Sequence, residues 1–353
     1  MSPPNQGNPS RREWLTGSRP DVDPANVAKF GPLFEFSSNA MGCEFQIICT
    51  QDAQEPLAHA VIDAFDMIAD LELQMSIYRD SSEMSTINRM ADRAPVMVEQ
   101  NLFGVLQTAQ KISLATQGAF DLSATPLGEL WKASRQQRKL PSQTSIDSAR
   151  QFVDFTKVQL DEASHTIQFQ QTGIKLDLGG IGKGHALDRI RNYLHECTCF
   201  DFLIHGGQSS VLASGQRSDL EDNQHPWQIG LAHPLLPNKR LGTLTINDQA
   251  VGTSGSGRQS FIVDGKRYGH IIDPRTGWPV DHTLSVTVLA ESAVVADALA
   301  TALFVIGPQD AESVCEQFNA GALFVSEDTP NGPLKIDTVR LPPDCLALDN
   351  DNG

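Results

Sequence analysis

No apolar run in the chain approaches the ~20 residues that a membrane-spanning helix needs, so its 353 residues hold no candidate span. Cations are scarce: 27 Lys and Arg face 43 Asp and Glu, for a formal net charge of −16. That balance excludes an extended nucleic-acid footprint, and any anionic ligand has to be met by a local group of cations. Cysteine is sparse as well, six residues scattered from 43 to 345. A chain of this length does not depend on disulfide staples. The C-x-C of Cys197 and Cys199 lacks the second pair or histidine spacing of a zinc site and reads as buried thiols.

What is present is the composition of a soluble globular protein, 40% hydrophobic and 20% charged, long enough for one large domain or two. Residues 10–17 read SRREWLTG, like the twin-arginine part of an export signal, but the polar SRPDVDPANVAKF follows where an apolar stretch is needed. Residues 1–30 are therefore expected to be a disordered polar arm on a cytoplasmic protein. No lipoprotein-type cysteine stands near the start.

Alternation over 34–50 predicts a strand, with Met41 and Gly42 interrupting it as a bulge. Helical spacing of Leu57, Val61, Phe65, Ile68 and Met75 predicts a helix over 55–76, and a second follows over 100–118, closed by Gly118. Residues 132–172 fit a helix and a short hairpin. Residues 173–194 read strand, glycine turn, helix; 201–215, 226–234, 242–248 and 284–290 read as strands, and 292–307 as a helix. From about 327 the chain is again rich in Pro, Asp and Asn and reads as a polar tail, which leaves one folded domain over 31–326. Without repeats or regular βαβ alternation, the class expected is α+β.

Several stretches carry chemistry. DLGGIGKGHALD (177–188) sets glycines around Lys183 at a helix mouth, where backbone N–H groups and a point charge suit an anion. It matches neither of the best-known phosphate loops, and it fits a tight strand–helix connection equally well. AVGTSGSG (250–257) reads as a loop of small residues. Between Arg258 and Arg275, four cations face two acids, a local inversion in an acidic chain. In ADALAT (296–301), Asp297 and Thr301 stand four apart and share a helix face; a carboxylate, a hydroxyl and carbonyl oxygens suit Mg²⁺, although an ordinary polar pair on a core helix has the same spacing. Tyr78, in MSIYRDSSEMSTIN, can stack on a flat ring, and Asp121, in GAFDLSATPLGELW, can accept hydrogen bonds; both also fit structural roles. GHIIDPRTGWPV (269–280) places His270, Asp273 and Arg275 about a proline turn.

Taken in order, M-G at 41, MSIYRDSSEMSTIN, GAFDLSATPLGELW, DLGGIGKG, T-S-G at 253, GHIIDPRTGWPV and ADALATALFVIG resemble the FAD:protein FMN transferases of the ApbE type, over about 41–307. The chain departs from the family pattern at Gln208, after Gly206 and Gly207, and at Ser256 and Gly257, after T-S-G. The resemblance implies a single mixed-sheet, T-fold-like domain with flanking helices, FAD as substrate and Mg²⁺ as cofactor. It implies Met41, Tyr78, Ala119, Phe120, Asp121, Asp177, Lys183, Thr253 and Ile272 around FAD. It places Gly180, Asp297, Ala300 and Thr301 at the metal, the alanine and glycine through their carbonyls. Lys183 would neutralise the diphosphate, with His270 as the base; Asp273 and a metal-bound water compete for that role. The implied reaction passes FMN to a Thr or Ser hydroxyl of an acceptor protein carrying a D-x-x-[ST]-G-A-T-like motif and releases AMP. Hydrolysis of FAD to FMN and AMP, or non-catalytic flavin binding, are the alternatives. No such acceptor string occurs in this chain.

Overall fold

The computed structural model describes residues 33–50, 55–217, 225–236, 238–256, 260–328 and 332–349. The expected arm over 1–30, including its arginine pair, and Arg258 of the cation group lie outside the described residues.

The stretch expected as one interrupted strand is a hairpin, β1 (Phe34–Ala40) and β2 (Cys43–Cys49), paired from Phe34↔Cys49 to Ala40↔Cys43. Met41 and Gly42, at φ 51° and 72°, form its turn, the left-handed pair that a two-residue hairpin loop requires. The helices α1 (Glu55–Met75), α2 (Glu83–Met90) and α3 (Gln100–Ala115) follow, with β3 (Val96–Met97) between the last two. Beyond α3 the left-handed residue is Gln117 (φ 51°), followed by Gly118 (φ 78°), whose N–H donates to Ser113 O at 2.8 Å. Then come α4 (Thr125–Gln137), α5 (Gln143–Arg150) and a hairpin, β4 (Val158–Asp161) with β5 (Thr166–Phe169).

No strand forms over 173–178; the segment is irregular and leads directly into α6 (Gly182–Glu196). A hairpin of β6 (Phe202–Gly206) and β7 (Ser210–Ser214) precedes β8 (Trp227–Ala232) and β9 (Arg240–Ile246). The small-residue run expected as a loop is a strand, β10 (Ala250–Gly255). Its glycine is there for a close approach: a Cβ on Gly252 would stand 2.5 Å from the Ala296 carbonyl carbon. A two-stranded ribbon, β11 (Phe261–Val263) and β12 (Lys266–Tyr268), precedes β13 (Ser285–Ala290), α7 (Ala293–Ile306), α8 (Ala311–Gln317) and β14 (Gly321–Glu327). The supposed C-terminal tail is also part of the fold. It supplies β15 (Leu334–Val339), paired along β14, and β16 (Leu346–Leu348), paired with β9. Its polar composition misled because both are edge strands, where one side stays solvated.

The class is α+β, as expected. Eight strands in the order β1-β2-β6-β7-β10-β13-β14-β15 make one antiparallel sheet. Alternate residues serve two cores. Phe45, Ile47, Phe202, Ile204, Leu212, Val286, Val288 and Phe324 pack under α1, α3, α6 and α7. Val211, Ala213, Val251, Leu289, Leu323 and Val325 pack against Trp227, Leu231, Leu241 and Leu244 of the second sheet, β16-β9-β8. Among the described residues no helix is long and apolar enough to cross a membrane.

The α6 and α7 helices cross at backbone contact. A Cβ on Gly184 would stand 2.1 Å from Ala293 O, so only glycine fits. Asp188 of α6 caps α7, accepting from Ser292 Oγ at 2.7 Å and from the Ala293 and Val294 N–H groups at 3.0 Å. Gly184→Ala, which favours an isolated helix by about 1 kcal/mol, is expected here to destabilise the protein by about 1–3 kcal/mol through overpacking, read from the denaturant midpoint.

Candidate active site

A cavity of about 1170 Å³ opens at one end of the large sheet. Pockets for drug-sized ligands run to roughly 300–1,000 Å³, so this one has room for a dinucleotide. Its lining includes Tyr78, Asp121, Asp177, Gly180, Lys183, Thr253, His270, Ile272, Asp297 and Thr301. Segments remote in sequence are thus brought together. Met41, Ala119, Phe120, Asp273 and Ala300 are not among the lining residues. Ala119, Phe120 and Ala300 are core residues, and Met41 sits in the β1–β2 turn against the same core. Phe120 underlies the floor: its ring would be 3.3 Å from a Cβ on Gly180.

Lys183 projects from the first turn of α6. Asp297 is buried on α7; its Oδ2 accepts the Gly184 N–H and its Oδ1 the Ser210 hydroxyl, both at 2.7 Å. Burial pushes the Asp297 carboxyl above the usual carboxylate range, opposed by the charge of Lys183 and these two donors. One turn on, Thr301 Oγ1 lies 3.1 Å from Ser254 Oγ, and a Cβ on Gly180 would be 3.8 Å from that same Thr301 oxygen. Asp297, Thr301 and Gly180 therefore surround one corner. Ser210 and Ser254 belong to it too and were missed in the sequence; the T-S-G run contained Ser254, but nothing local to Ser210 marks it.

Asp177 and Asp121 hold backbone as well as facing the cavity. Asp177 Oδ1 accepts from Gly179 N–H at 3.0 Å. Asp121 takes the Ser123 N–H at 2.7 Å, the Ser123 hydroxyl at 2.6 Å and the Phe155 N–H at 3.0 Å. Burial raises both carboxyls above their ordinary pKa. Tyr78 is 83% exposed, a ring presented to the cavity mouth without a packed partner to displace.

The cation group expected over 258–275 is largely spent within the protein. Lys266 pairs with Asp281 at 2.8 Å, and Arg267 donates to Ser260 Oγ and Ser256 O. Arg275 grips Asp273 through Nε and Nη2 at 2.9 and 3.0 Å, which turns that carboxylate to its own loop. The cations that reach the cavity beside Lys183 are Lys132 and Arg135, on the stripe Gly128, Trp131, Lys132, Arg135 of α4. Their helical stripe was visible in the sequence; its destination was not.

His270 begins the turn. Its ring is solvent-accessible at the cavity wall, yet burial of its packed side, then the Arg135 charge, lowers its pKa below the ordinary value. The turn is closed by Gly277 N–H to Asp273 O at 2.7 Å and Val280 N–H to Ile271 O at 3.0 Å. Trp131 pins it to α4: its indole N–H donates to Gly277 O at 2.8 Å, and its ring centroid lies 5.4 Å from Trp278 and 6.0 Å from Tyr268.

The cavity reaches residues on both faces of the sheet. β7 pairs with β10 at Ala250, Val251 and Gly252, and the Thr253 N–H still donates to Ser209 O at 2.7 Å, so the strands part only beyond it, beside Ser254 and Gly255. Ser254 faces α7, whereas Thr253 faces the other side, its Oγ1 3.1 Å from Thr287 Oγ1. One arm thus lies on the helix side with Lys183 and Asp297. The other runs between the two sheets, past Val251, Leu323 and β8.

Fold and cavity together define an α+β protein with a long two-armed ligand cleft, cation-bearing on its helix side. The family model described as the ApbE family matches residues 41–324, and the chain belongs to that family. The FAD:protein FMN transferase of Klebsiella pneumoniae (strain 342) is 33% identical over 300 residues, spanning 84% of this chain and 90% of that one. The crystal structure of the ApbE protein from Thermotoga maritima superposes with a TM-score of 0.75 at 28% identity, covering 88% of this chain and 97% of that one. The flavin transferase ApbE from Vibrio cholerae gives 0.74 at 26% identity, covering 88% and 98%.

Trp131→Phe keeps a ring but leaves the buried Gly277 carbonyl without its indole donor. The expected cost is about 1–3 kcal/mol, measured by denaturant unfolding.

Proposed function

We propose that this protein transfers FMN from FAD to a Ser or Thr hydroxyl of an acceptor protein. The observation that carries the reading is the convergence of Lys183, Asp297, Thr301 and His270 on one cavity of dinucleotide size in a chain of the ApbE family. Phosphoryl transfer asks for positioning and charge neutralisation rather than covalent chemistry by the protein. The acceptor oxygen bonds to the FMN phosphorus, the bridging P–O bond breaks, and AMP leaves. In this reading Lys183, which lines the cavity, neutralises diphosphate oxygens. His270, held largely neutral by its lowered pKa, takes the hydroxyl proton on a ring nitrogen. Asp273, occupied by Arg275, is the weaker candidate for that role.

Mg²⁺ belongs to the same reading. Among the described residues no three His, Cys, Asp or Glu side chains cluster as a metal cage. A site of one carboxylate with hydroxyl and carbonyl oxygens still fits Mg²⁺, which keeps waters and shares substrate phosphates. Asp297 and Thr301, with the Gly180 carbonyl, are the cavity-lining residues that would hold it. When bound it supplies charge neutralisation at the diphosphate. The Ser210 and Gly184 bonds to Asp297 orient the carboxylate and leave it lone pairs.

Lys183→Ala is expected to weaken FAD binding far more than riboflavin binding in a fluorescence titration, because only FAD brings the diphosphate. Equal losses would mark Lys183 as structural.

The reaction itself is tested by incubating the protein with FAD, Mg²⁺ and a domain bearing D-x-x-[ST]-G-A-T. A fluorescent flavin band on the denatured acceptor, with matching AMP, is expected, and both vanish when the acceptor hydroxyl is replaced by Ala. Acceptor-independent AMP release without a band would identify a hydrolase, and neither product a carrier. His270→Ala is expected to lose roughly 10²–10⁴-fold in transfer rate. Because the neutral ring is the active form, the rate should hold as pH falls through ~6.5 and drop only below the depressed pKa. Arg135→Gln should move that acid limb to higher pH.

A further inference from the structure

β8 is an edge strand: in the order β16-β9-β8 it pairs only with β9 among the described residues. Its unpaired side borders the cavity, and Gln228, Gly230 and Ala232 are exposed along the strand. The consecutive residues Gln228, Ile229, Gly230, Leu231 and Ala232 all line the cavity. Side chains of a strand alternate between faces, so a run of both parities meets a cavity through the strand's backbone edge. That edge offers N–H and C=O groups to an extended chain.

The wall opposite is the outer face of the large sheet, with Val211, Val251, Thr253, Thr287, Leu323 and Val325. Among the described residues that wall carries no Lys, Arg, Asp or Glu. An arm without cations does not suit a diphosphate, whereas the helix-side arm holds Lys183, Lys132 and Arg135. The two arms meet at the strand ends beside Ser254 and Gly255, past the last bond from β10 to the β6–β7 turn, Thr253 N–H to Ser209 O. A second substrate entering along β8 would therefore approach the helix-side corner from the opposite face of the sheet. In-line displacement requires the nucleophile to arrive opposite the leaving group.

We infer that the inter-sheet arm is the acceptor site: an extended segment of the acceptor protein, with small residues flanking its hydroxyl, adds as a strand to the free edge of β8 and delivers that hydroxyl to the corner of Asp297 and Thr301. This rests on the transfer reaction proposed above. The edge supplies affinity through backbone hydrogen bonds. The width between the sheets selects small side chains flanking the hydroxyl.

The test uses the full-length protein and a synthetic peptide containing D-x-x-T-G-A-T. Amide hydrogen exchange over 227–232 is expected to slow when the peptide is added and to stay unchanged with FAD alone. Peptides N-methylated at single amides should show alternation. Methylation at every second position raises the acceptor KM by roughly three- to tenfold, the worth of one interstrand hydrogen bond, while the intervening positions and the KM for FAD stay unchanged. Protection of 227–232 by FAD alone would assign the arm to the dinucleotide. Flavinylation with no protection of 227–232 and no alternation would place the acceptor elsewhere. Either result overturns the docking site and leaves the transfer reaction standing. An unmodified peptide that acquires no flavin in the presence of FAD and Mg²⁺ would remove the transfer reading, and the docking site with it.

Discussion

The backbone contact between Gly184 and Ala293 governs the site. Because α6 and α7 touch there, the Gly184 N–H reaches Asp297 Oδ2 at 2.7 Å and Lys183 stands within electrostatic reach of the same carboxylate. Gly252 repeats the device on the other side of α7, letting β10 press against Ala296 and carry Ser254 to Thr301. Two glycines thus set the spacing of a carboxylate, an ammonium and two hydroxyls. A buried carboxyl is tolerated because its oxygens are met by fixed donors and a nearby cation.

Charge is partitioned more sharply than the net value of −16 suggests. Acids and bases near the proline turn cancel one another locally: Asp273 with Arg275 and Lys266 with Asp281. These pairs are partly exposed and contribute little stability; their effect is to keep the turn in shape and their charges out of the cavity. The cavity cations come instead from the starts and stripes of helices, Lys183 on α6 and Lys132 with Arg135 on α4. Trp131 links the two systems, since it sits on α4 next to the cations and holds the His270 turn by its indole N–H. Movement of that ring would shift His270 and Arg135 together, and Arg135 is one of the causes that depress the His270 pKa.

Belonging to the ApbE family explains why so many short stretches were informative in order and weak singly. Each contributes one or two groups, and the cavity assembles them from loops, a helix mouth, a helix interior and a strand. The strand ends beside Ser254 and Gly255 link the two faces of the sheet in a way that no single motif encodes.

Local chemistry in the sequence determined the elements with strong periodicity, α1, α3 and α7, the α+β class, and the glycine turn before α6, because spacing and backbone freedom are properties of neighbours along the chain. Lys183, His270, Asp297 and Thr301 stood out as a set only through the resemblance of the ordered motifs to the ApbE family. Local chemistry misjudged 250–255, since small residues resemble a loop until a helix is seen to need their lack of bulk. It misjudged 327–348, since edge strands carry polar composition. Which carboxylates face the cavity was decided only by tertiary structure: Asp121 and Asp177 do, Asp273 does not, although all three have similar turn-like surroundings in sequence. The same holds for Ala119, Phe120 and Ala300, which support the floor from the core. Distances across a sheet opening and between crossing helices join residues more than a hundred positions apart, such as Gly184 and Asp297, and no local pattern records them.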